Sequence, residues 1–269
     1  MHSNNDDALV IDGVALNSRF FLGSAGYPSP QLLDEAIRAA GTQVLTVGLK
    51  RTLQAGDNGA IAQALATAQA QGARLLPNTA GCRSAREAVA LAQMARELYG
   101  TRWIKLEVIG DEHTLQPDPF ELLSAATTLV KDGFTVFPYC TEDLILGRRL
   151  LEDAGCALLM PWGAPIGSGQ GLVHLAALRR LRERLPDTVL VIDAGLGAPS
   201  QAAQALELGF DAVLLNSAVA QAREPVAMAG AFRDAVRAGR QAYRAGLMAP
   251  QDFAVASTPV SGHAFLLGN

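Results

Sequence analysis

The chain predicts an α/β protein, a (β/α)8 TIM barrel in a single domain, on three observations. Short apolar β-type runs alternate with longer Ala- and Leu-rich stretches, eight times in succession. Such alternation gives a parallel sheet with helical crossovers, and eight units close into a barrel. The length of 269 residues suits one such barrel, which takes about 250. Finally, unusual polar residues collect where the apolar runs end, at Asn78, Lys105, Glu107, Tyr139, Asp193 and Asn216. A barrel keeps its active site at those C-terminal strand ends. An open doubly wound sheet is the fallback and would be favoured by GxGxxG after the first strand, but Gly23-Ser24-Ala25-Gly26-Tyr27 lacks that spacing.

Taken in order, the first unit pairs a strand over 19–23 with a helix over 30–40, and the second pairs 44–48 with 59–71. Gly72 follows that helix, where a left-handed residue is wanted. The third strand covers 74–77; Ser84 caps the helix over 84–99, with Glu87 as its capping-box partner. The fourth strand covers 103–109, and Asp118-Pro119 reads as an N-cap and first helical proline for 119–131. The remaining units are 134–138 with 142–153, 157–161 with 172–185, 189–193 with 199–208, and 212–216 with 225–245. Gly133, Gly155 and Gly209 sit just past helix ends. The domain plan is an N-terminal tail and lead-in over 1–18, a catalytic barrel over 19–250 and a C-terminal tail over 251–269, with the first seven residues frayed.

Apolar residues make up 49% and charged residues 18%, enough for a large core and too little charge for disorder. With a net charge of -4, no broad basic field is expected, so nucleic acid is not an expected partner. Cys82, Cys140 and Cys156 form no CxxC pair, which argues against a disulfide framework or zinc knuckle and for a reducing, cytoplasmic setting. The polar N-terminus lacks a signal-peptide core, and no apolar run is long enough to span a membrane.

The strand Trp103-Ile104-Lys105-Leu106-Glu107-Val108-Ile109-Gly110 carries the strongest chemical signal. Alternation puts Lys105 and Glu107 on one face and Ile104, Leu106 and Val108 on the other. A helix-covered parallel strand should be apolar nearly throughout. A buried amine can be a nucleophile and a neighbouring carboxylate can move protons; a structural ion pair is the other reading, and this strand alone does not choose. Asp193 ends an apolar strand and is either a proton-transfer group or a partner of Lys105.

Gly167, Gly169 and Gly171, in the loop from Met160, remove side chains so that backbone N–H groups can converge on an anion. Gly195 and Asn216-Ser217 follow strands seven and eight, the usual barrel phosphate site; helix capping is the plainer use of Asn216 and Ser217. His2, His113, His174 and His263 lack ligand spacing, so no metal and no cofactor are expected. Cys140 reads as a pocket residue or a buried inert thiol, Lys50-Arg51 as an anion contact or a solvated pair, and Trp162 as a pocket wall or a packing residue.

Several stretches together resemble the bacterial thiazole synthase family of thiamine biosynthesis, from about Phe20 to Pro259. They are Leu76-Pro77-Asn78-Thr79-Ala80-Gly81-Cys82, Ile104-Lys105-Leu106-Glu107-Val108-Ile109-Gly110, Pro117-Asp118-Pro119, Pro165-Ile166-Gly167-Ser168-Gly169, Ile192-Asp193-Ala194-Gly195 and Val213-Leu214-Leu215-Asn216. The resemblance implies a (β/α)8 enzyme that joins 1-deoxy-D-xylulose 5-phosphate, dehydroglycine and sulfur into a thiazole phosphate carboxylate. The sulfur arrives as a thiocarboxylate on a small ubiquitin-like carrier protein, and a separate enzyme supplies dehydroglycine. By the same resemblance Lys105 forms an imine with the sugar ketone, and Glu107 and Asp193 are the acid/base residues. Gly167, Ala194, Gly195, Asn216 and Ser217 hold the sugar phosphate, and the protein is a homo-oligomer, a tetramer. The chain has Asn216-Ser217 where the family usually has Asn-Thr, and Gly23-Ser24 for Gly-Thr; both keep a hydroxyl.

Imine chemistry needs a neutral amine, which burial favours and an ionised Glu107 opposes. The expectation is therefore a protonated Glu107 or an amine deprotonated on substrate binding. An apolar docking patch for the carrier is expected on the loops at the barrel mouth. Two other readings share these residues: a class I (Schiff-base) aldolase-like sugar-phosphate enzyme, and a non-catalytic docking scaffold for the carrier.

Overall fold

The structure, a computed structural model, describes residues 7–49 and 59–255. Lys50, Arg51, His2, His263 and the segment 257–262 lie outside them. Strands β1 (Leu9–Ile11) and β2 (Val14–Leu16) form a hairpin. Strands β3 (Phe20–Gly23), β4 (Val44–Gly48), β5 (Arg74–Asn78), β6 (Trp103–Leu106), β7 (Thr135–Cys140), β8 (Leu158–Pro161), β9 (Val189–Asp193) and β10 (Ala212–Leu215) close a barrel in chain order. All its pairings are parallel, β10 meeting β3.

The helices are α1 (Pro30–Ala40), α2 (Gly59–Ala70), α3 (Ala85–Tyr99), α4 (Pro119–Lys131), α5 (Leu144–Glu152), α6 (Leu175–Arg184), α7 (Pro199–Glu207), α8 (Ser217–Ala220) and α9 (Pro225–Ala245). Ser84 caps α3 by accepting from the Glu87 N–H, and Asp118 caps α4 by accepting from Phe120 and Glu121. Among the described residues no helix is long and apolar enough to cross a membrane.

Strand alternation sorts the core into two layers. Outward residues such as Leu22, Leu45, Ile104 and Ile192 pack under the helices. Inward residues such as Phe21, Val44, Trp103, Phe137 and Met160 fill the lower barrel, and Leu9, Ile11 and Leu16 of the hairpin join them as a floor. The hairpin turns at Asp12 and Gly13, with φ of 52° and 73°, as a tight turn with two left-handed residues requires. The Asp12 carboxylate accepts from Trp103 Nε1 at 3.1 Å and pairs with Arg102, tying the floor to β6.

Asp7, expected to fray, is held instead. It accepts from Arg240 at 2.7 Å and from Arg19 at 3.1 Å, and Arg19 is buried. Burial pushes its carboxyl up, but the Arg240 hydrogen bond and the Arg19 charge outweigh that and hold it below the ordinary 3.8. Asp7→Ala should cost about 1–3 kcal/mol in urea unfolding at neutral pH, because it strips a buried guanidinium of its counter-charge. The carboxyl is lowered in the folded state, so its contribution is present above the unfolded value and lost as pH falls through the folded one. The gap between wild type and variant should therefore close in acid; a gap independent of pH would count against the ion pair.

β6 ends at Leu106, three residues before its expected end. The chain leaves the ladder because Thr79 takes it over: Glu107 N–H donates to Thr79 Oγ1, and Thr79 Oγ1 donates to the Glu107 carbonyl, both at 2.8 Å. β7 runs on to Cys140, so Tyr139 and Cys140 belong to the strand. The short helix α8 was not expected.

Candidate active site

At the mouth the inward layer turns polar. Lys105 leaves β6 into the barrel, with Asn78 of β5 on one side and Phe137 of β7 on the other in register. Asp193 reaches in from the end of β9. Lys105 Nζ lies 2.6 Å from Asp193 Oδ2 and 3.3 Å from Glu107 Oε1. All three side chains are buried, with exposures of 6%, 5% and 1% for Lys105, Glu107 and Asp193. The contact between Lys105 and Asp193 is a buried ion pair.

Burial pushes the Lys105 amine down, but Asp193 and Glu107 together push it further up, and it stays above its ordinary value. Asp193 is pushed up to about 6, chiefly by burial; Lys105 opposes this and Glu107 adds to it. At rest Lys105 is an ammonium beside Asp193, whose carboxyl is pushed up to about 6. The Tyr139 ring lies 5.7 Å from Lys105 Nζ and meets Trp162 edge-on.

The group lies in a cavity of about 1040 Å³. The loops after β8, β9 and β10 also reach it, and Gly167, Ala194, Gly195, Asn216 and Ser217 all line it. The N–H groups of Gly167, Gly195, Ser217 and Ala218 have no hydrogen-bond acceptor among the described residues. A Cβ added to Gly167 would stand 3.9 Å from Ser217 Oγ, so these two loops face each other across a narrow gap. Converging unpaired N–H groups at a helix start form an anion site.

Several glycines of these loops also serve packing. A Cβ on Gly195 would lie 2.3 Å from the Ala164 nitrogen, and one on Gly197 2.6 Å from the Gly169 carbonyl. Gly171 N–H donates to the Gly195 carbonyl at 2.8 Å, so it is not an anion donor as the glycine pattern suggested. Ala194 lines the cavity, but its N–H is taken by the Leu214 carbonyl at 3.3 Å. Asn216 makes no side-chain cap for α8. Its Nδ2 donates to the Ala25 carbonyl at 2.7 Å, and its side chain fills the space a Cβ on Gly23 would need.

Cys140 points to the helix side, buried in the outer core, with burial and nearby Cys156 pushing its thiol well up; it is the inert thiol rather than a pocket residue. Trp162 packs on Tyr139 and donates to Glu142. His113 and His174 are exposed and away from the lysine's carboxylates. Sequence reasoning passed over Thr79, which positions Glu107; its place two residues beyond Pro77 in the strand-end cluster was the available signal.

Fold and site together define a class: (β/α)8 barrels with a buried lysine between two acidic side chains, in a cavity that the last three strand loops also line. Residues 10–259 match the family described as thiazole biosynthesis protein ThiG, and the chain belongs to that family. A thiazole synthase of Coxiella burnetii (strain Dugway 5J108-111) is 58% identical over 258 residues, 96% of this chain and 98% of that protein. One from Gluconobacter oxydans (strain 621H) is 62% identical over 254 residues, 94% of this chain and 98% of that protein. Among solved structures, a chain of the Amycolatopsis orientalis BexX/CysO complex superposes with a TM-score of 0.81 at 31% identity, covering 93% of this chain and 100% of that one.

Proposed function

We propose that this chain is a thiazole synthase that condenses 1-deoxy-D-xylulose 5-phosphate, dehydroglycine and sulfur from a thiocarboxylated carrier into the thiazole phosphate carboxylate. The observation that carries this is the placement of Lys105 between Glu107 and Asp193 in one cavity with unpaired backbone N–H groups. Family membership and the named relatives support the activity.

The cradle at Gly167, Gly195 and Ser217, lined by Ala194 and Asn216, anchors the phosphate and presents the ketone to Lys105. Anchoring makes the attack effectively unimolecular. Lys105 passes its proton to Asp193, attacks the ketone carbon, and water leaves as the imine forms. The imine makes the adjacent C–H acidic, and a carboxylate removes that proton. Return of a proton elsewhere moves the carbonyl one carbon along the sugar, where sulfur attacks. Glu107, fixed by Thr79, and Asp193 are the proton carriers.

Reconstitution tests this reading. With all three substrates the thiazole phosphate carboxylate should accumulate by mass spectrometry, and omission of any one should abolish it. Cleavage of the sugar into smaller fragments would support the aldolase-like reading, and carrier binding without product the scaffold.

The carrier reading draws on the similarity to a chain of the BexX/CysO complex. Phe120 and Ile145, 82% and 61% exposed, stand at the starts of α4 and α5 on the mouth side. They flank a cleft lined by Pro117, Pro119 and Leu123. This patch docks the carrier. Phe120→Glu with Ile145→Glu should weaken carrier binding more than tenfold by calorimetry while imine trapping with the sugar phosphate survives; loss of both would remove the case for a separate docking surface. We further infer a homotetramer working in the cytoplasm beside a dehydroglycine-supplying enzyme; sedimentation of the purified chain tests the assembly.

A further inference from the structure

Asn78 closes β5 in register with Lys105, so both side chains leave the sheet on one face, from strands about 4.8 Å apart. On its other side the register partner is Gly48, which places no side chain beside the amide. Asn78 lines the cavity. Its orientation is fixed chemically: Ala80 N–H donates to Asn78 Oδ1 at 3.3 Å, and an N–H can bond only the oxygen end. The NH2 end is therefore left over, and it donates to no described residue.

Attack by Lys105 forms the C–N bond and moves the carbonyl π pair onto oxygen. That oxygen is negative until protonated, then leaves as water when the nitrogen lone pair forms the imine. An oxygen so formed needs a neutral hydrogen-bond donor until the acid beside Lys105 Nζ, Asp193 at 2.6 Å, returns the proton it took. We propose that the Asn78 amide is a catalytic donor to this oxygen, holding it on the β5 side of Lys105. Two protons complete the water, both from the Lys105 amine: one is passed through Asp193, and the nitrogen loses the other once the C–N bond has formed, which frees the lone pair that expels the water; Asn78 ends each turnover unchanged. This inference rests on the imine reading above.

The test is rapid-quench borohydride trapping with saturating 1-deoxy-D-xylulose 5-phosphate, followed by intact mass. Asn78→Asp keeps the size and the bond to Ala80 N–H but removes the donor, and Asn78→Ala removes the donor without adding charge. Both should slow adduct appearance about 100-fold, the usual effect of losing one oxyanion donor. The sugar-phosphate Kd and the melting temperature should stay near wild type, and Asn78→Ser, which restores a short donor, should recover part of the rate. Adduct rates within about threefold of wild type in both variants would overturn the proposal. So would a Kd that rises as much as the rate falls, since Asn78 would then bind the ground state equally. If the wild type forms no adduct, the imine reading itself falls and takes this one with it.

Discussion

Replacing Lys105 with alanine is expected to eliminate the borohydride-trapped sugar adduct and lower kcat by at least about 1000-fold. The size follows from the loss of a covalent route that splits one difficult step into two easier ones. Asp193 and Glu107 cannot substitute, because a carboxylate forms no imine with a ketone. The cradle at Gly167, Gly195 and Ser217 stands on other strands, so the variant should still bind the sugar phosphate within a few-fold of wild type. Lys105→Arg keeps the positive charge between the carboxylates but cannot be deprotonated, so it should be equally inactive. The pair of variants separates chemistry from charge balance. Lys105→Ala leaves two buried carboxylates side by side, and one of them must take up a proton; it should melt lower than Lys105→Arg. An adduct that survives in Lys105→Ala, or turnover within tenfold of wild type, would move the nucleophile elsewhere.

The barrel was legible because its signals are local and strong. Asp118-Pro119 marks the start of α4 at the residue the structure places it, and Ser84 does the same for α3. Lys105 was legible because a charge in a helix-covered strand has few uses. Strand ends were harder, since they depend on partners distant in sequence: nothing local to Glu107 says that Thr79 will lift it out of the ladder. The floor hairpin carried a readable Asp12-Gly13 turn between apolar residues, yet its role depends on the open lower end of the barrel, which only closure creates.

The glycine loops were legible only in part. The nest pattern was Gly167, Gly169 and Gly171, and of these the Gly171 N–H is spent on the Gly195 carbonyl of the neighbouring loop. A sequence cannot distinguish a glycine that admits a ligand from one that admits a neighbouring backbone. Asn216 is a further case. Its residue type suggested a helix cap as the plainer use of the side chain, whereas the amide braces the β3 loop through Ala25.

An acid limb near pH 6 is expected in kcat/KM, because Asp193 is the group in the site pushed up to about 6. The reactive arrangement, neutral Lys105 with protonated Asp193, contains the same number of protons as the resting ion pair, so it interconverts with it at any pH. A further proton on Asp193 traps Lys105 as an ammonium with its acceptor filled. Activity should then fall about tenfold per pH unit below 6, reported as an apparent value of the coupled group. No basic limb from Lys105 should appear below pH 10, since its amine is raised from 10.5. Asp193→Asn should abolish the limb and lower the plateau by about 10²–10⁴, the range for losing a proton-transfer group. A stability readout checks the same assignment. The folded-state value exceeds the ordinary 3.8, so the folded protein binds this proton more tightly and loses stability as pH rises from about 4 to 6. Asp193→Asn lacks that loss, so its stability relative to wild type should climb across the same window. A relative stability that is flat there, with the acid limb still present in the variant, would assign the proton to another group.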